Sequence, residues 1–309
     1  MRNSAEPLVI VIAGPTGSGK TALSLRLAEH LRTVIISADS RQCYREMTIG
    51  TAKPPAEDLA LITHYFINSH SIHHPATAFD FERYALDKLE HIFQARNTAI
   101  VCGGTGLYIQ ALCEGLNEMP QVDESIEKAV NSAYLENGRE WLKEAVATED
   151  PEFYAQAEIE NPARLLRALA FRRSTGRSIV HFQTGTSKKR SFKILKITLA
   201  LDRQALYRHI NQRVDKMMAA GLLEEAAALY PQRHLKALNT VGYVELFDYF
   251  DGHYSLEKAV DLIKQHSRNY AKRQLTWFRK DKSFHWLAPD DYSGILRLIE
   301  SEAGCGGQA

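Results

Sequence analysis

Leu8-Val9-Ile10-Val11-Ile12-Ala13 runs directly into Gly14-Pro15-Thr16-Gly17-Ser18-Gly19-Lys20-Thr21 and then into Ala22 to Leu31. The first six residues form a short, β-branched apolar run, as a parallel strand covered on both faces requires. Beyond the loop, Leu23, Leu27 and Leu31 recur every four residues, so the period changes from strand to helix across the glycines. The pattern G-x-x-x-x-G-K-T thus stands in the strand, loop, helix setting that gives it meaning. Glycines let successive backbone N–H groups turn inward, and the helix N-terminus adds about half a positive charge. Lys20 is then placed to bridge terminal phosphates and Thr21 to hold a Mg²⁺. A glycine turn that binds nothing is the competing reading.

Working outward, Val34 to Ala38 reads as a second buried strand with Asp39-Ser40-Arg41-Gln42 beyond its carboxyl end, the edge where open parallel sheets hold their ligands. Asp39 is therefore the leading acid or base, unless it only caps a turn or meets Mg²⁺ through water. A third strand, Thr98 to Cys102, ends in Gly103-Gly104-Thr105-Gly106, where a nucleoside triphosphatase would carry an acid for its metal. That substitution argues against ordinary triphosphate hydrolysis. Between these strands, Ile49 to Pro55 is a Gly/Pro loop able to close over a ligand, and Asp80 is read as the cap of a helix. His64, His70, His73 and His74 raise a metal site as one reading and solvated loop histidines as the other.

From about Asn117 the pattern becomes short helices, at Ser125 to Asn137, Arg139 to Ala147, Pro151 to Ala157 and Pro162 to Thr175, before a strand from Phe192 to Leu201. The remainder reads as helical. A long helix capped by Ser255 carries Tyr270 to Lys280, where basic residues interleave with Tyr270, Trp277 and Phe278. Such a surface suits a phosphate backbone and unstacked bases. It also suits an amphipathic helix with its aromatics in the core. The expected architecture is α/β: a P-loop NTPase-like parallel sheet core (1–116 and 190–290), a helical insertion (117–189), a helical C-terminal part, and a last helix with a flexible tail (291–309).

Composition sets bounds without deciding function. The chain has 309 residues, 45% apolar and 24% charged, with net charge +1, which is ordinary for a globular protein and gives no general case for nucleic acid. Four singly placed cysteines fit reduced thiols rather than a disulfide framework. No run is long and apolar enough to span a bilayer, and Met1 to Pro7 is too short and polar for a signal peptide, so the expectation is a cytoplasmic monomer with no membrane partner.

Taken together, the motifs resemble the tRNA dimethylallyltransferase (tRNA isopentenyltransferase) family from about Leu8 to Leu287. The matching stretches are Gly14 to Thr21, Ser37 to Tyr44, Ile49 to Pro54, Gly103 to Tyr108, Asn161 to Leu169 and Tyr270 to Arg279. The resemblance implies transfer of a prenyl group from dimethylallyl diphosphate to the N6 amine of the adenosine 3′ of the anticodon in tRNA, with Mg²⁺ required. By the same resemblance Asp39 is the base, Thr105 holds the diphosphate near its bridging oxygen, and Arg213 is a further phosphate partner. The implied tRNA contacts are Asp39, Ser40, Arg41 and Gln42; Ala163, Arg164, Leu165, Leu166 and Arg167; Asn239, Thr240, Val241, Gly242, Tyr243 and Val244; and Lys272, Arg273, Gln274, Leu275, Thr276, Trp277, Phe278 and Arg279. Thr48, Tyr65, Asn68 and Ala170 depart from the family pattern without removing a chemical group. Competing functions are a small-molecule kinase using ATP, a prenyltransferase acting on free adenine nucleotide, and a tRNA-binding protein without catalysis.

Overall fold

The computed structural model describes residues 6–117, 119–182 and 187–304. Its centre is a fully parallel six-stranded sheet, β1 (Leu8–Ala13), β2 (Ile35–Ser37), β3 (His64–Tyr65), β4 (Thr98–Gly103), β5 (Lys193–Leu199) and β6 (His285–Leu287), in the order β3-β2-β4-β1-β5-β6. The apolar run that opens the chain lies in the middle. Leu8 pairs with Thr98 on one side and Lys193 on the other, and the register continues to Ala13 between Gly103 and Thr198. All six β1 side chains are buried, as two covered faces demand.

Alternation along the strands divides the core in two. Val9, Val11, Ile36 and Val101 face a layer containing α3 (Ala78–Ile92), α4 (Gly106–Glu114), α9 (Leu222–Leu229), α10 (Val244–Phe250) and α11 (Leu256–Lys280). Leu8, Ile10, Ile12 and Ile100 face α1 (Lys20–His30) and α12 (Tyr292–Glu302), where Leu23, Leu27, Ile295 and Ile299 close the other side. α2 (Ala56–Leu61) lies between β2 and β3 in sequence, and α8 (Arg203–Ala219) follows β5.

Residues 115–188 form a separate compact unit. Its helices are α5 (Glu124–Glu149), α6 (Pro151–Tyr154) and α7 (Pro162–Thr175). Val130, Leu142 and Val146 pack against Leu165, Leu169 and Ala170. Arg173 grips the Glu149 carboxylate through two nitrogens, at 2.9 and 2.6 Å, and Arg172 donates to the Glu149 carbonyl, so two arginines of α7 close the C-terminus of α5.

Several local expectations need correction. The C-terminal part is not wholly helical: β6 adds an edge strand, and β3 adds another at the opposite edge. At two or three residues each, they are too short to show alternation. Thr77, not Asp80, caps α3; Asp80 completes a capping box, accepting from the Thr77 backbone N–H while its own N–H donates to the Thr77 hydroxyl. Gly138, by contrast, separates two helices as expected: Glu124–Glu149 leaves helical backbone geometry at that glycine, with φ +76°. Most of the expected C-terminal tail, 305–309, lies outside the described residues.

Candidate active site

Two glycine turns leave the carboxyl ends of adjacent strands β1 and β4, and they use glycine for different reasons. Gly14, Gly17 and Gly19 take φ of +143°, +78° and +90°, conformations that a side chain resists. They arch the loop so that Lys20 opens α1. Gly103 and Gly104 have ordinary backbone angles but no room: a Cβ at Gly103 would collide with the Ala38 carbonyl, and one at Gly104 with the Gln274 amide. The second turn is thereby drawn against the segment that carries Asp39.

Between these turns lies a cavity of about 580 Å³. Thr16, Lys20, Thr21, Asp39, Arg213 and Tyr270 are among its walls, so the loop after β1, the start of α1, the segment after β2, α8 and α11 converge on one space. Burial pulls Lys20 below its ordinary pKa; Arg213 pushes the same way, while Cys102 and Asp39 oppose. Arg213 is likewise lowered by burial and supported by Asp39. Asp39 is the only carboxylate that opposes the lowering of these two buried cations, which leaves them electrostatically under-compensated and favours a multiply charged anion. Lys20 Nζ meanwhile donates to the Pro15 carbonyl at 3.1 Å, within its own loop.

Asp39 both caps a turn and faces the cavity. Its Oδ1 accepts from the backbone N–H groups of Arg41 at 2.9 Å and Gln42 at 3.3 Å. Oδ2 has no hydrogen-bond partner among the described residues. One carboxylate oxygen thus fixes the side chain's orientation, as the turn-capping reading expects. Tyr270 stands nearby; desolvation, then the Asp39 charge, pushes its hydroxyl up to about 12, so it remains a neutral donor. Thr105 is not in the cavity wall. Its Oγ1 accepts from Ser40 N at 3.0 Å and donates to Ser40 Oγ at 3.3 Å, and its side chain meets the Tyr270 hydroxyl.

The far wall contains residues that sequence reasoning did not single out. Glu245 is 3% exposed, accepts from Gly242 N–H at 2.7 Å, and meets His266 Nδ1 at 2.6 Å. Glu225 receives three successive backbone N–H groups, from Thr48, Ile49 and Gly50, together with the Tyr243 hydroxyl at 2.6 Å. One carboxylate thus fixes the loop 48–50. The departure at position 48 costs nothing there, since the contact uses the backbone. Nothing but chain-distant pairing could have exposed either arrangement.

The stretches expected to meet tRNA divide by exposure. Asn239, Thr240, Val241, Gly242, Val244, Arg273 and Ser40 to Gln42 line the cavity, and Lys272, Thr276, Trp277 and Arg279 are exposed. Trp277 keeps 39% of its surface open, whereas Phe278 keeps 1% and packs edge-to-face against Phe284 in the core. Phe278 cannot therefore present a face to a base. Tyr243 is buried with its hydroxyl on Glu225, and Leu275 packs beside Leu206 and Ile210. Gln274 is 6% exposed with both ends of its amide engaged by backbone. On α7, Ala163, Arg164 and Arg167 are exposed and Leu166 is half-buried, but Leu165 is fully inside that unit's core. These corrections share one cause: a contiguous helical stretch always turns part of its circumference inward.

Among the described residues no group of three or more His, Cys, Asp or Glu is arranged to hold a metal. His64 and His70 are half-buried and lowered by that burial; His73 and His74 are exposed. The oxygen donors present do fit Mg²⁺. That ion takes one or two protein oxygens and draws the rest from phosphates and water, and the Thr21 hydroxyl and Asp39 carboxylate line the same cavity. No helix among the described residues is long and apolar enough to cross a membrane.

Residues 42–281 match the model of a family described as IPP transferase. A tRNA dimethylallyltransferase of Christiangramia forsetii is 47% identical over 295 residues, covering 95% of this chain and 98% of its own. The tRNA dimethylallyltransferase 1 of Phocaeicola vulgatus is 45% identical over 293 residues, with 95% and 98% covered. Among solved structures, the full-length tRNA isopentenylpyrophosphate transferase of Bacillus halodurans is similar with a TM-score of 0.71, 34% identity and 97% of each chain covered. A eukaryotic dimethylallyltransferase acting on tRNA shares the fold at TM-score 0.77 and 24% identity, over 95% of this chain and 78% of its own. With the glycine turns, Asp39 and the paired cations in the arrangement described, the chain belongs to the tRNA dimethylallyltransferase (IPP transferase) family.

Proposed function

We propose that this protein transfers the dimethylallyl group of dimethylallyl diphosphate to the exocyclic N6 amine of the adenosine 3′ of the anticodon in tRNA, releasing diphosphate. The observation that carries the reading is the single cavity in which Lys20, Thr21 and Arg213 face Asp39. An N–C bond forms at the allylic carbon, the C–O bond to diphosphate breaks, and the amine proton passes to Asp39. An adenine amine is a poor nucleophile because its lone pair is delocalised into the ring, so a carboxylate accepting the proton sharpens the attack. The larger requirement is stabilising the departing diphosphate, for which the loop N–H groups, Lys20 and Arg213 are preorganised in a dry site.

Mg²⁺, when bound by Thr21 together with Asp39 or the phosphates, would neutralise part of the leaving group's charge. Thr105 orients Ser40, and in this reading its hydroxyl holds the diphosphate near its bridging oxygen. A base in an anticodon loop must be turned out to reach the cavity, at a cost of a few kcal/mol. The exposed Lys272, Arg273, Trp277 and Arg279 of α11 are the residues that can offset it, by phosphate contacts and stacking. Arg164 and Arg167 of the helical insertion add further cationic contacts for the stem. The protein works as a monomer in the cytoplasm in this reading.

The absence of an acid at the β4 end separates this reading from an ATP-dependent kinase, and the basic face of α11 separates it from a transferase acting on free nucleotide. The test is incubation with dimethylallyl diphosphate, Mg²⁺ and unmodified tRNA, followed by nucleoside mass analysis. An adenosine heavier by one five-carbon prenyl unit is expected. Prenylation of free nucleotide alone, or ATP turnover with a small acceptor, would overturn the proposal.

A further inference from the structure

The Gln274 side chain spans the two glycine turns. Its Oε1 accepts from the backbone N–H of Thr16, in the phosphate loop, at 2.9 Å. Its Nε2 donates to the carbonyl of Gly104, in the turn after β4, at 2.8 Å. The side chain is buried, and a Cβ at Gly104 would overlap that amide nitrogen, so the fit is close as well as hydrogen-bonded. On the same helix, Lys272, Arg273 and Trp277 are exposed. One turn of α11 thus presents its charged face outward while its single buried polar side chain ties two loops together.

From this geometry we infer that Gln274 is a positioning residue for the diphosphate rather than a contact for tRNA. It sets the separation of the Gly14 to Lys20 loop from the Gly103 to Gly106 turn, and hence where the loop N–H groups and Lys20 point. A primary amide is suited to this because it donates at one end and accepts at the other without adding charge. Glutamate in its place would put an acceptor oxygen, with no proton to donate, against the Gly104 carbonyl. The inference rests on the proposed substrate being dimethylallyl diphosphate, but its test has an independent arm.

The experiment compares wild-type protein with Gln274→Ala, Gln274→Glu, Gly104→Ala and the double variant Gly104→Ala/Gln274→Ala, measuring KM and binding for dimethylallyl diphosphate and, separately, affinity for an anticodon stem-loop. Far-ultraviolet circular dichroism and melting confirm that each variant is folded. Losing a buried hydrogen bond whose partners stay desolvated is expected to weaken diphosphate binding about 10–100-fold, with stem-loop affinity changed less than about threefold. Gly104→Ala acts by displacing the same amide. In a background where position 274 is already alanine it should therefore add little, a non-additivity that general destabilisation would not produce. Loss of stem-loop affinity with intact diphosphate binding would overturn the inference and return Gln274 to the tRNA surface. Additive losses in the double variant would overturn it too. Failure of wild-type protein to bind the diphosphate would instead sink the proposed function, leaving the two outcomes distinguishable.

Discussion

The two glycine turns of the cavity rim look alike as letters and differ as physics. At Gly14, Gly17 and Gly19 the backbone adopts positive φ and a neighbour is never closer than 3.0 Å to an added Cβ. At Gly103 and Gly104 the angles are ordinary and the space is already filled. The first turn is a conformational device that opens toward a ligand. The second is a packing device that lets β2 and α11 approach β4. Glycine in the first is required by the shape of the loop, and in the second by what lies against it.

The contrast can be broken by substitution. Gly103→Ala should be the most damaging change, because the obstacle is the Ala38 backbone, which cannot rotate away. A loss of about 3 kcal/mol or more is expected, visible as a large fall in melting temperature. Normal melting would show that the second turn is not close-packed. Lys20→Ala should leave the fold intact and lower kcat about 10²–10³-fold through lost charge stabilisation of the leaving group. Because burial holds Lys20 below its ordinary pKa, its cationic form is lost as pH rises through that lowered value. Diphosphate affinity should then fall with rising pH, and binding near that value should take up a proton. Calorimetry in buffers of differing ionisation enthalpy reads this uptake, which Lys20→Ala should abolish.

Smaller effects sharpen the same distinction. Gly19→Ala meets nothing nearer than 4.0 Å but must hold φ near +90°, so a loss of about 1–2 kcal/mol is expected from strain alone. Finally, two thiols near the cavity are buried: burial, then the Asp39 charge, pushes Cys43 up to about 12, and burial raises Cys102 beside Gly103. A thiol raised above its unfolded value of 9.0 contributes stability that is complete below that pH and is lost as pH climbs from 9 toward 12. Neither thiol should react with iodoacetamide at pH 8 until the chain is unfolded; rapid labelling of the native protein would contradict the packing.

Much of this was legible in the sequence, and the reasons for the rest are physical. Leu8 to Leu31 identified the central strand and its phosphate loop because period and motif agree over adjacent residues. Asp39 was found from its place after a buried strand, and Thr105 from the acid missing there. The edge strands escaped because neither is long enough to show a pattern. Gln274 and Phe278 were implied as tRNA contacts by the resemblance, with a core place for Phe278 left open, since composition does not say which way each side chain turns. Glu225, Glu245 and His266 were not singled out at all, because the side chains they meet lie 18 or more residues away.

The claim beneath the whole account is that Asp39 works on the amine while Lys20 and Arg213 work on the phosphates. Asp39→Asn keeps the Oδ1 that caps the Arg41 turn and removes only the charge, so single-turnover prenyl transfer measured beside equilibrium tRNA binding isolates the proton acceptor. The account predicts transfer slowed about 10²–10⁴-fold with tRNA affinity within a few-fold of wild type. Transfer at the wild-type rate, or equal loss of rate and tRNA affinity, would contradict it.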